Sequence, residues 1–183
     1  DKLDETLEGW AEMAKLKAEG KLRWIGVCNA TIAEMEAMSA IAPITSLQPP
    51  YSLVKRDVET DQLPWCSGHG VGTIVYSPMG SGLLTGAMTR ERVASFPEGD
   101  WRRNNPQFQE PKLTENLALA GRLKTVGARH GRTAAEVALA WVLRRPQVTA
   151  AIVGARNASQ VDGLIHGSDL RLSSEDVAEI EGL

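Results

Sequence analysis

IVYSPMGSGLLTG, residues 74–86, predicts a buried strand that runs into a glycine-rich loop. Ile74 and Val75 are apolar and β-branched, as in a strand that is covered on both faces. Tyr76 and Pro78 break this run, and three glycines follow it, namely Gly80, Gly82 and Gly86. Because glycine lets the backbone come close to another molecule, the loop is a candidate binding site.

Strands and helices alternate along the rest of the chain. Short apolar runs predict four strands, at residues 23–29, 44–52, 71–77 and 148–155. Helical periodicity predicts one helix in front of them, closed by Gly20, and helices between and after them. These helices are expected at residues 31–43, 57–70, 113–131, 133–146, 156–167 and 173–183. A long irregular stretch is expected from about Pro78 to Pro111.

Two of these helices carry a capping-box signature at their starts. Thr31 is followed three residues later by Glu34, and Thr133 is followed three residues later by Glu136. In such a box the hydroxyl and the carboxylate each accept a backbone N–H bond that the first helical turn leaves unmade. Both helix starts are therefore predicted from local sequence alone.

Alternating strands and helices indicate a parallel sheet, which is either a doubly wound sheet or a section of a (β/α)₈ barrel. Polar or glycine residues lie at the C-terminal ends of all four predicted strands, at Cys28–Asn29, Gln48, Tyr76–Ser77 and Gly154–Arg156. A barrel places its site at that end of every strand, whereas a doubly wound sheet does so only at its switch point. The pattern favours about four βα units of a barrel, because a whole barrel takes about 250 residues.

Composition excludes several classes of function. The chain has 183 residues, 43% of them hydrophobic and 23% charged, with a net charge of −3. No basic cluster indicates nucleic-acid binding, and no apolar run approaches the length of a membrane span. The two cysteines, Cys28 and Cys66, are expected to be reduced, and the three histidines lack metal-ligand spacing. We therefore expect a cytoplasmic globular protein with no metal.

The glycine spacing at positions 80, 82 and 86 misses the dinucleotide fingerprint of the Rossmann fold by one residue. No acidic residue ends a strand about 20 residues later, as that fingerprint requires. A Rossmann site is therefore disfavoured. A loop that serves only as a turn remains the structural alternative.

A second candidate phosphate site follows the fourth predicted strand. Gly154 and Arg156 lie between that strand and a helix start, where Asn157 can cap and Gln160 takes the capping-box position. Helix starts attract anions, and the planar guanidinium of arginine suits phosphate. A dinucleotide with an additional phosphate would use both sites.

Three more side chains at strand ends fit a flat ligand. The Tyr76 ring can stack on a heteroaromatic ring, although a core tyrosine is the simpler explanation by composition. Asn29 and Gln48 carry side-chain amides that can donate to and accept from a carboxamide. Each of them alone is also a common turn residue.

The chain resembles the C-terminal half of an aldo-keto reductase over nearly its whole length. The resemblance is carried by GKLRWIGVCNA, LQPPYSLVKRDVE, LPWCSGHGVGTIVYSPMGSGLLTG, RTAAEVALAWVLRRPQVTAAIVGARNASQV and LSSEDVAEIEGL, which keep the order of the family's motifs. It implies a partial (β/α)₈ barrel over residues 1–183 that binds NADP(H) in an extended form, with residues 80–112 as a long loop over the site. Trp101 in that loop is a possible pocket wall or a packing residue.

The resemblance also implies a role for individual residues. Asn29 and Gln48 would hold the nicotinamide carboxamide, and Tyr76 would stack on its ring. The pyrophosphate would be lined by Ser77, Met79, Gly80, Ser81, Gly82 and Leu83. The adenosine end and its 2′-phosphate would be held by Gly154, Arg156 and Gln160.

The sequence departs from the family pattern at three points. Cys28, assigned to the cofactor site, replaces the usual serine, and Leu164 replaces a common asparagine. The family's catalytic Asp, Tyr, Lys and His lie on strands that precede this segment. Tyr51 and Tyr76 are the only tyrosines, and neither matches the motif of the catalytic acid. We therefore assign no catalytic residue to this chain and expect it to be inactive alone.

The resemblance implies an oxidoreductase that transfers hydride between the nicotinamide and an aldehyde or ketone. A small carbonyl compound is the expected substrate, and a missing half-barrel or a second copy of the chain is the expected protein partner. A non-catalytic NADP(H)-binding module is the alternative, and a phosphosugar-binding half-barrel is a third possibility.

Overall fold

The computed structural model describes residues 2–182, which fall into two compact units. The first unit comprises the residues up to Pro50, Asp57–Tyr76 and Pro146–Ala150. Its elements are α1 (Lys2–Ala18), β1 (Gly26–Cys28), α2 (Ile32–Ser39), β2 (Ser46–Gln48), α3 (Gln62–Gly68) and β3 (Gly72–Tyr76), with the start of β4 (Val148–Ile152).

The second unit comprises Tyr51–Arg56, Ser77–Arg145 and the residues from Ala151 onward. It contains the helices α4 (Arg90–Ala94), α5 (Lys112–His130), α6 (Ala134–Leu143), α7 (Ala158–Asp162) and α8 (Ser174–Glu181). Short 3₁₀ helices lie at Gly80–Thr85, Trp101–Asn104, Pro106–Phe108 and Ile165–Ser168.

The four strands form one sheet in the order β1-β2-β3-β4. Strand β1 pairs in parallel with β2, and β2 pairs in parallel with β3, with Cys28 opposite Gln48. The predicted alternation of parallel strands and helices is therefore confirmed. Within residues 2–182, β1 and β4 are the edges of this sheet, and the expected pairing with a half-barrel or a second copy stays a prediction.

Strand β2 is shorter than its apolar pattern predicted. It ends at Gln48 because Pro49 and Pro50 have no N–H to donate to a neighbouring strand.

The helix predicted over residues 57–70 is wrong in its extent. A single 3₁₀ turn covers Asp57–Glu59, and α3 begins only after Asp61, whose side chain accepts the Gln62 N–H bond at 2.6 Å. Proline is tolerated only in the first turn of a helix, so Pro64 requires the helix to start just before it.

The stretch predicted as irregular is more ordered than expected. It contains α4 and three 3₁₀ helices, and the side chains of Asp100 and Asn105 accept N–H bonds at the starts of the helices Trp101–Asn104 and Pro106–Phe108. The capping boxes predicted at Thr31 and Thr133 are both present.

The first unit has its own apolar core between helices and sheet. Trp10 of α1 is 4% exposed, and its indole N–H donates to the carbonyls of Met38 and Ala42 at 3.0 and 3.3 Å. The buried members of this core are Trp10, Ile25, Ala30, Met35, Met38, Ile44, Leu47, Cys66 and Val71. Burial raises the pKa of the Cys66 thiol, while Cys28 is exposed.

The second unit is built around α6, whose residues 134–142 are all buried. A helix that is apolar on every side must lie inside the protein. Trp141 is fully buried against Tyr51, with ring centroids 5.4 Å apart, and its indole N–H donates to Glu181 at 3.0 Å. The guanidinium of Arg144 lies 3.9 Å from the Trp141 ring and also bonds Glu181 at 2.9 Å.

An ion-pair network joins the end of α5 to the start of α8. Asp176 accepts hydrogen bonds from Arg129 and His130, both at 2.8 Å, and from the Ser173 N–H at 3.1 Å. Burial alone would raise the pKa of Asp176. The bonds from Arg129, Ser173 and His130 outweigh this effect and lower the pKa to about 2.

This network predicts an acid-sensitive contribution to stability. Because the folded carboxyl has the lower pKa, its stabilisation is present above pH 4 and is lost as the pH falls toward 2. Urea unfolding at several pH values should show a loss of about 1–2 kcal/mol over this range that Asp176→Asn lacks. Parallel pH profiles for the two proteins would contradict the assignment.

No helix within residues 2–182 is both long enough and apolar enough to span a membrane.

Candidate functional site

The first unit brings together three of the side chains predicted at strand ends. The Asn29 N–H donates to the Gln48 carbonyl at 3.2 Å, and the Tyr76 hydroxyl donates to Asn29 Oδ1 at 3.1 Å. The Tyr76 N–H donates to the Pro49 carbonyl at 3.0 Å. These bonds hold Asn29, Gln48 and Tyr76 at one end of the sheet, where a parallel barrel carries its site.

The amide groups of this cluster retain capacity for a ligand. Asn29 is exposed and Gln48 and Tyr76 are half-buried. Among residues 2–182, no protein group bonds the Asn29 amide nitrogen or the Gln48 side chain. Cys28, opposite Gln48 in the strand register, is also exposed. The cluster therefore presents one amide N–H₂ group, one complete amide and one phenol ring, and Cys28 contributes only a weakly polar thiol.

The second unit holds the glycine-rich loop in an unusual backbone conformation. Gly80, Ser81 and Gly82 have φ values of +56°, +55° and +101° in succession, all in the left-handed region. The Gly80 N–H donates to the Ser77 carbonyl at 2.9 Å, and the Gly82 and Leu84 N–H groups both donate to the Met79 carbonyl at 3.1 Å. The loop is thus a compact, internally bonded turn.

A side chain at Gly80 would be strained by the positive φ and crowded by one neighbouring side chain. A Cβ atom there would lie 3.0 Å from Cγ2 of Val54.

Left-handed backbone also occurs at residues that are not glycine. Within the described part of the chain these are Asn29, Ser77 and Ser81, with φ between +54° and +56°. The conformation costs a non-glycine residue about 1–2 kcal/mol and persists where the surrounding structure enforces it, often at functional sites. All three residues belong to the set that the sequence assigned to ligand binding.

Ser81 allows this strain to be measured. Ser81→Gly removes the Cβ penalty but enlarges the freedom of the unfolded chain, so we expect it to be about 0.5 kcal/mol more stable than the parent. Ser81→Ala keeps the Cβ atom and should show no gain. Urea unfolding of both variants checks this, and equal midpoints would show that the loop is not strained.

The loop after β4 contains the second predicted phosphate-binding site. Asn157 caps α7 by accepting the Gln160 N–H bond at 3.1 Å, as predicted. The predicted capping box is wrong, because Oε1 of Gln160 accepts the N–H of Arg156 at 2.7 Å and not that of Asn157. Gln160 thereby holds the backbone of Arg156, whose guanidinium bonds no other residue within the described range.

Ser81 and Arg156 line one cavity of about 610 Å³ within the second unit. The other lining residues belong to one segment, Pro97, Glu98, Gly99, Asp100, Trp101 and Arg102. The cavity is shallow and largely open to solvent. The glycine-rich loop, the long loop and the loop after β4 thus converge on one space.

Comparison with known protein families agrees with the family resemblance of the sequence motifs. The model of the aldo/keto reductase family matches residues 1–183. The chain belongs to the aldo/keto reductase family.

Two relatives of the chain are themselves described as aldo-keto reductases. The chain is 36% identical over 179 residues to the aldo-keto reductase YhdN of Bacillus subtilis, a match that covers 97% of this chain and 53% of the relative. It is 34% identical over 169 residues to probable aldo-keto reductase 1 of Glycine max, covering 92% of this chain and 48% of that protein.

A solved aldo/keto reductase structure has the same fold. The glycerol dehydrogenase of Gluconobacter oxydans superposes with a TM-score of 0.88 at 32% identity, over 97% of this chain and 53% of that one. The chain therefore spans about half the length of the relatives it matches. The predicted fold, the C-terminal part of a (β/α)₈ barrel, is confirmed.

The other residues predicted to bind the cofactor differ in what they expose to a ligand. Leu83 is fully buried and exposes no surface to a ligand, and Met79 is half-buried. Gly154 and Gln160 are exposed but do not line the cavity with Ser81 and Arg156.

Sequence reasoning missed Asp100 and Arg102. Arg102 Nε and Nη2 donate to the two carboxylate oxygens of Asp100 at 3.0 and 2.6 Å. These bonds lower the pKa of Asp100 to about 2, and the charge of Arg156 acts in the same direction. The signal was an acidic and a basic residue on either side of Trp101, but their pairing depends on the loop's fold.

Proposed function

We propose that this chain is the NADP(H)-binding part of an aldo/keto reductase that transfers hydride between the nicotinamide and an aldehyde or ketone. The observation that carries the proposal is the left-handed backbone of Asn29, Ser77 and Ser81. Evolution tolerates such strain where a fixed backbone is needed, and all three positions match the family's cofactor motifs.

The first unit suits the nicotinamide end of the cofactor. A carboxamide has one acceptor and two donor positions, which the side-chain amides of Asn29 and Gln48 can match. Since the Tyr76 hydroxyl already donates to Asn29 Oδ1, that bond fixes both side chains and leaves the phenol ring for stacking.

The second unit suits the phosphates. The Gly80–Gly82 turn provides close backbone approach, and Arg156 provides a guanidinium that no described residue neutralises by a hydrogen bond. A permanently charged, bidentate donor distinguishes a phosphate from a hydroxyl, so Arg156 favours NADP(H) over NAD(H).

When bound, the nicotinamide supplies the hydride chemistry, and the residues of this chain bind and orient it. Neither tyrosine suits a proton donor in this chain. Tyr51 is fully buried against Trp141, and the Tyr76 hydroxyl is engaged by Asn29. The absence of catalytic residues from this segment is part of the proposal.

Titration of the chain with NADPH and NADH, followed by calorimetry and by nicotinamide fluorescence, tests the proposal. Saturable binding of NADPH, with NADH at least tenfold weaker, is expected. Failure of both cofactors to bind would overturn it.

The arrangement of the two tyrosines favours one second candidate, a non-catalytic NADP(H)-binding module. The same residues would bind the cofactor without turnover. An assay of NADPH oxidation with a generic aldehyde, followed by the loss of NADPH absorbance, separates the two candidates. The assay uses the full-length natural protein that contains this chain. Turnover supports the reductase, and tight binding without turnover supports the module.

A further inference from the structure

The left-handed turn at Gly80–Gly82 is covered on one side by Val54. A Cβ atom at Gly80 would lie 3.0 Å from Cγ2 of Val54, so this methyl group fills the space in front of the Gly80 Cα atom. The left-handed backbone of Ser81, which is not a glycine, persists only where the surrounding structure enforces it. The packing of Val54 on Gly80 is therefore one of the contacts that hold this loop.

Val54 is presented by a tight turn between Ser52 and Lys55. The N–H groups of Ser52 and Lys55 donate to each other's carbonyl oxygens, both at 3.0 Å, and the Val54 N–H donates to the Ser52 hydroxyl at 3.3 Å. Ser52 is buried, and the preceding Tyr51 is fully buried against Trp141. Because the base of the turn is fixed in this way, a contact made at Val54 acts on the glycine-rich loop.

The contact at Val54 comes from Gln107 of the long loop. The side-chain N–H₂ group of Gln107 donates to the Val54 carbonyl at 3.5 Å, at the long end of the range for a hydrogen bond. The orientation of this group is set by Asn116 of α5, whose amide nitrogen donates to the Gln107 carbonyl at 2.8 Å and to Gln107 Oε1 at 2.9 Å. Because Asn116 holds Oε1, the N–H₂ group of Gln107 must face the other way, toward Val54.

Asn116 is a buried polar residue, with only 5% of its surface exposed. Buried polar groups are found where they are hydrogen bonded, and a satisfied network of them specifies one arrangement of its members. The two bonds from Asn116, together with the bond from the Gln107 N–H to Asn105 Oδ1 at 2.9 Å, fix both the main chain and the side chain of Gln107.

We propose that Gln107 is a positioning residue for the glycine-rich loop. Oriented by Asn116, Gln107 holds Val54 in place, and Val54 keeps the loop in the conformation that receives a pyrophosphate. This inference rests on the proposed cofactor function, but the contacts that carry it exist before any ligand binds. They run from α5 through the long loop to Val54 and end on Gly80, and none of these side chains needs to touch the cofactor.

Hydrogen exchange measured by NMR tests the loop without a ligand, because the N–H groups of Gly82 and Leu84 both bond within it. Gln107→Met keeps the length of the side chain but removes its donor and its acceptor. The two amides should then exchange about fivefold faster than in the parent, as expected when a local contact is lost. Asn116 still bonds the main-chain carbonyl of residue 107 in this variant, and circular dichroism confirms that it is folded.

Gln109→Met is the matched control. Gln109 lies in the same long loop, and its side-chain amide donates to the Arg103 carbonyl. This variant loses a similar bond at a carbonyl that does not touch the glycine-rich loop. The exchange of the Gly82 and Leu84 amides and the binding of NADPH should both stay as in the parent.

Calorimetric titration with two compounds links the loop to its ligand. Gln107→Met is expected to weaken NADPH binding about five- to tenfold, which is the size of one neutral hydrogen bond. Adenosine 2′-monophosphate carries the adenosine end of the cofactor but no pyrophosphate. It should bind Gln107→Met within about twofold of the parent, because independent contacts contribute separately.

The outcomes separate the inference from the function on which it rests. Unchanged amide exchange in Gln107→Met overturns the positioning role. Faster exchange with unchanged NADPH binding also overturns it, as does an equal loss of NADPH and adenosine 2′-monophosphate, which would show general damage to the unit. If the parent itself does not bind NADPH while Gln107→Met exchanges faster, the role of Gln107 in holding the loop stands and the proposed cofactor function is overturned.

Discussion

Replacing Arg156 by alanine is expected to weaken NADPH binding by about 100-fold and to leave NADH binding within about threefold of the parent. A charged hydrogen-bonded contact to phosphate contributes about 2–3 kcal/mol, and each 1.4 kcal/mol is a factor of ten in Kd. NADH lacks the 2′-phosphate and loses only a long-range attraction. The measurement is a calorimetric titration of the parent and of Arg156→Ala with each of the two cofactors.

Two controls isolate the guanidinium. Arg156→Lys keeps the charge but not the planar fork, so it should recover part of the affinity for NADPH. Arg103→Ala removes an exposed arginine of the long loop that does not line the cavity, and it should change the binding of neither cofactor. An equal loss for NADPH and NADH in Arg156→Ala would show that Arg156 does not read the 2′-phosphate.

Gly26→Ala is expected to destabilise the chain by about 2 kcal/mol and to weaken both cofactors. Gly26 lies opposite Ser46 in the β1–β2 pair, and a Cβ atom there would come within 2.7 Å of the Ser46 carbonyl oxygen. Because the obstacle is backbone, the strands must separate, and such overpacking costs about 1–3 kcal/mol. Urea unfolding measures the loss.

The same shift would disturb the site. Gly26 lies three residues before Asn29, whose N–H bonds the Gln48 carbonyl across the same pair of strands. Gly9→Ala is the matched control, because nothing lies within 4 Å of a Cβ atom at this helical position. It should raise stability by about 0.5–1 kcal/mol. A Gly26→Ala protein as stable as the parent would contradict the close approach of the two strands.

Local sequence was a good guide wherever one residue type satisfies a local backbone need. The boxes at Thr31 and Thr133 were predicted because a hydroxyl and a carboxylate three residues apart bond the same free N–H groups. Local sequence was a poorer guide at residues 57–70. The predicted helix began at Asp57, whereas Pro64 requires the helix to begin only shortly before it. The predicted hydrogen-bond partner of the Gln160 side chain was also wrong by one residue, since the side chain accepts the N–H of Arg156 and not that of Asn157. Several backbone N–H groups lie within reach of such a long side chain.

By itself the sequence determined the alternation of strands and helices, the polar strand ends and the motifs that indicate the family, since these depend on side-chain chemistry along the chain. Tertiary structure alone decided that the Tyr76 hydroxyl bonds Asn29, that Asp100 pairs with Arg102, and that Trp101 shares a cavity with Arg156. These contacts join residues from separate segments or depend on how one loop folds. Their geometry follows from packing, which no local pattern encodes.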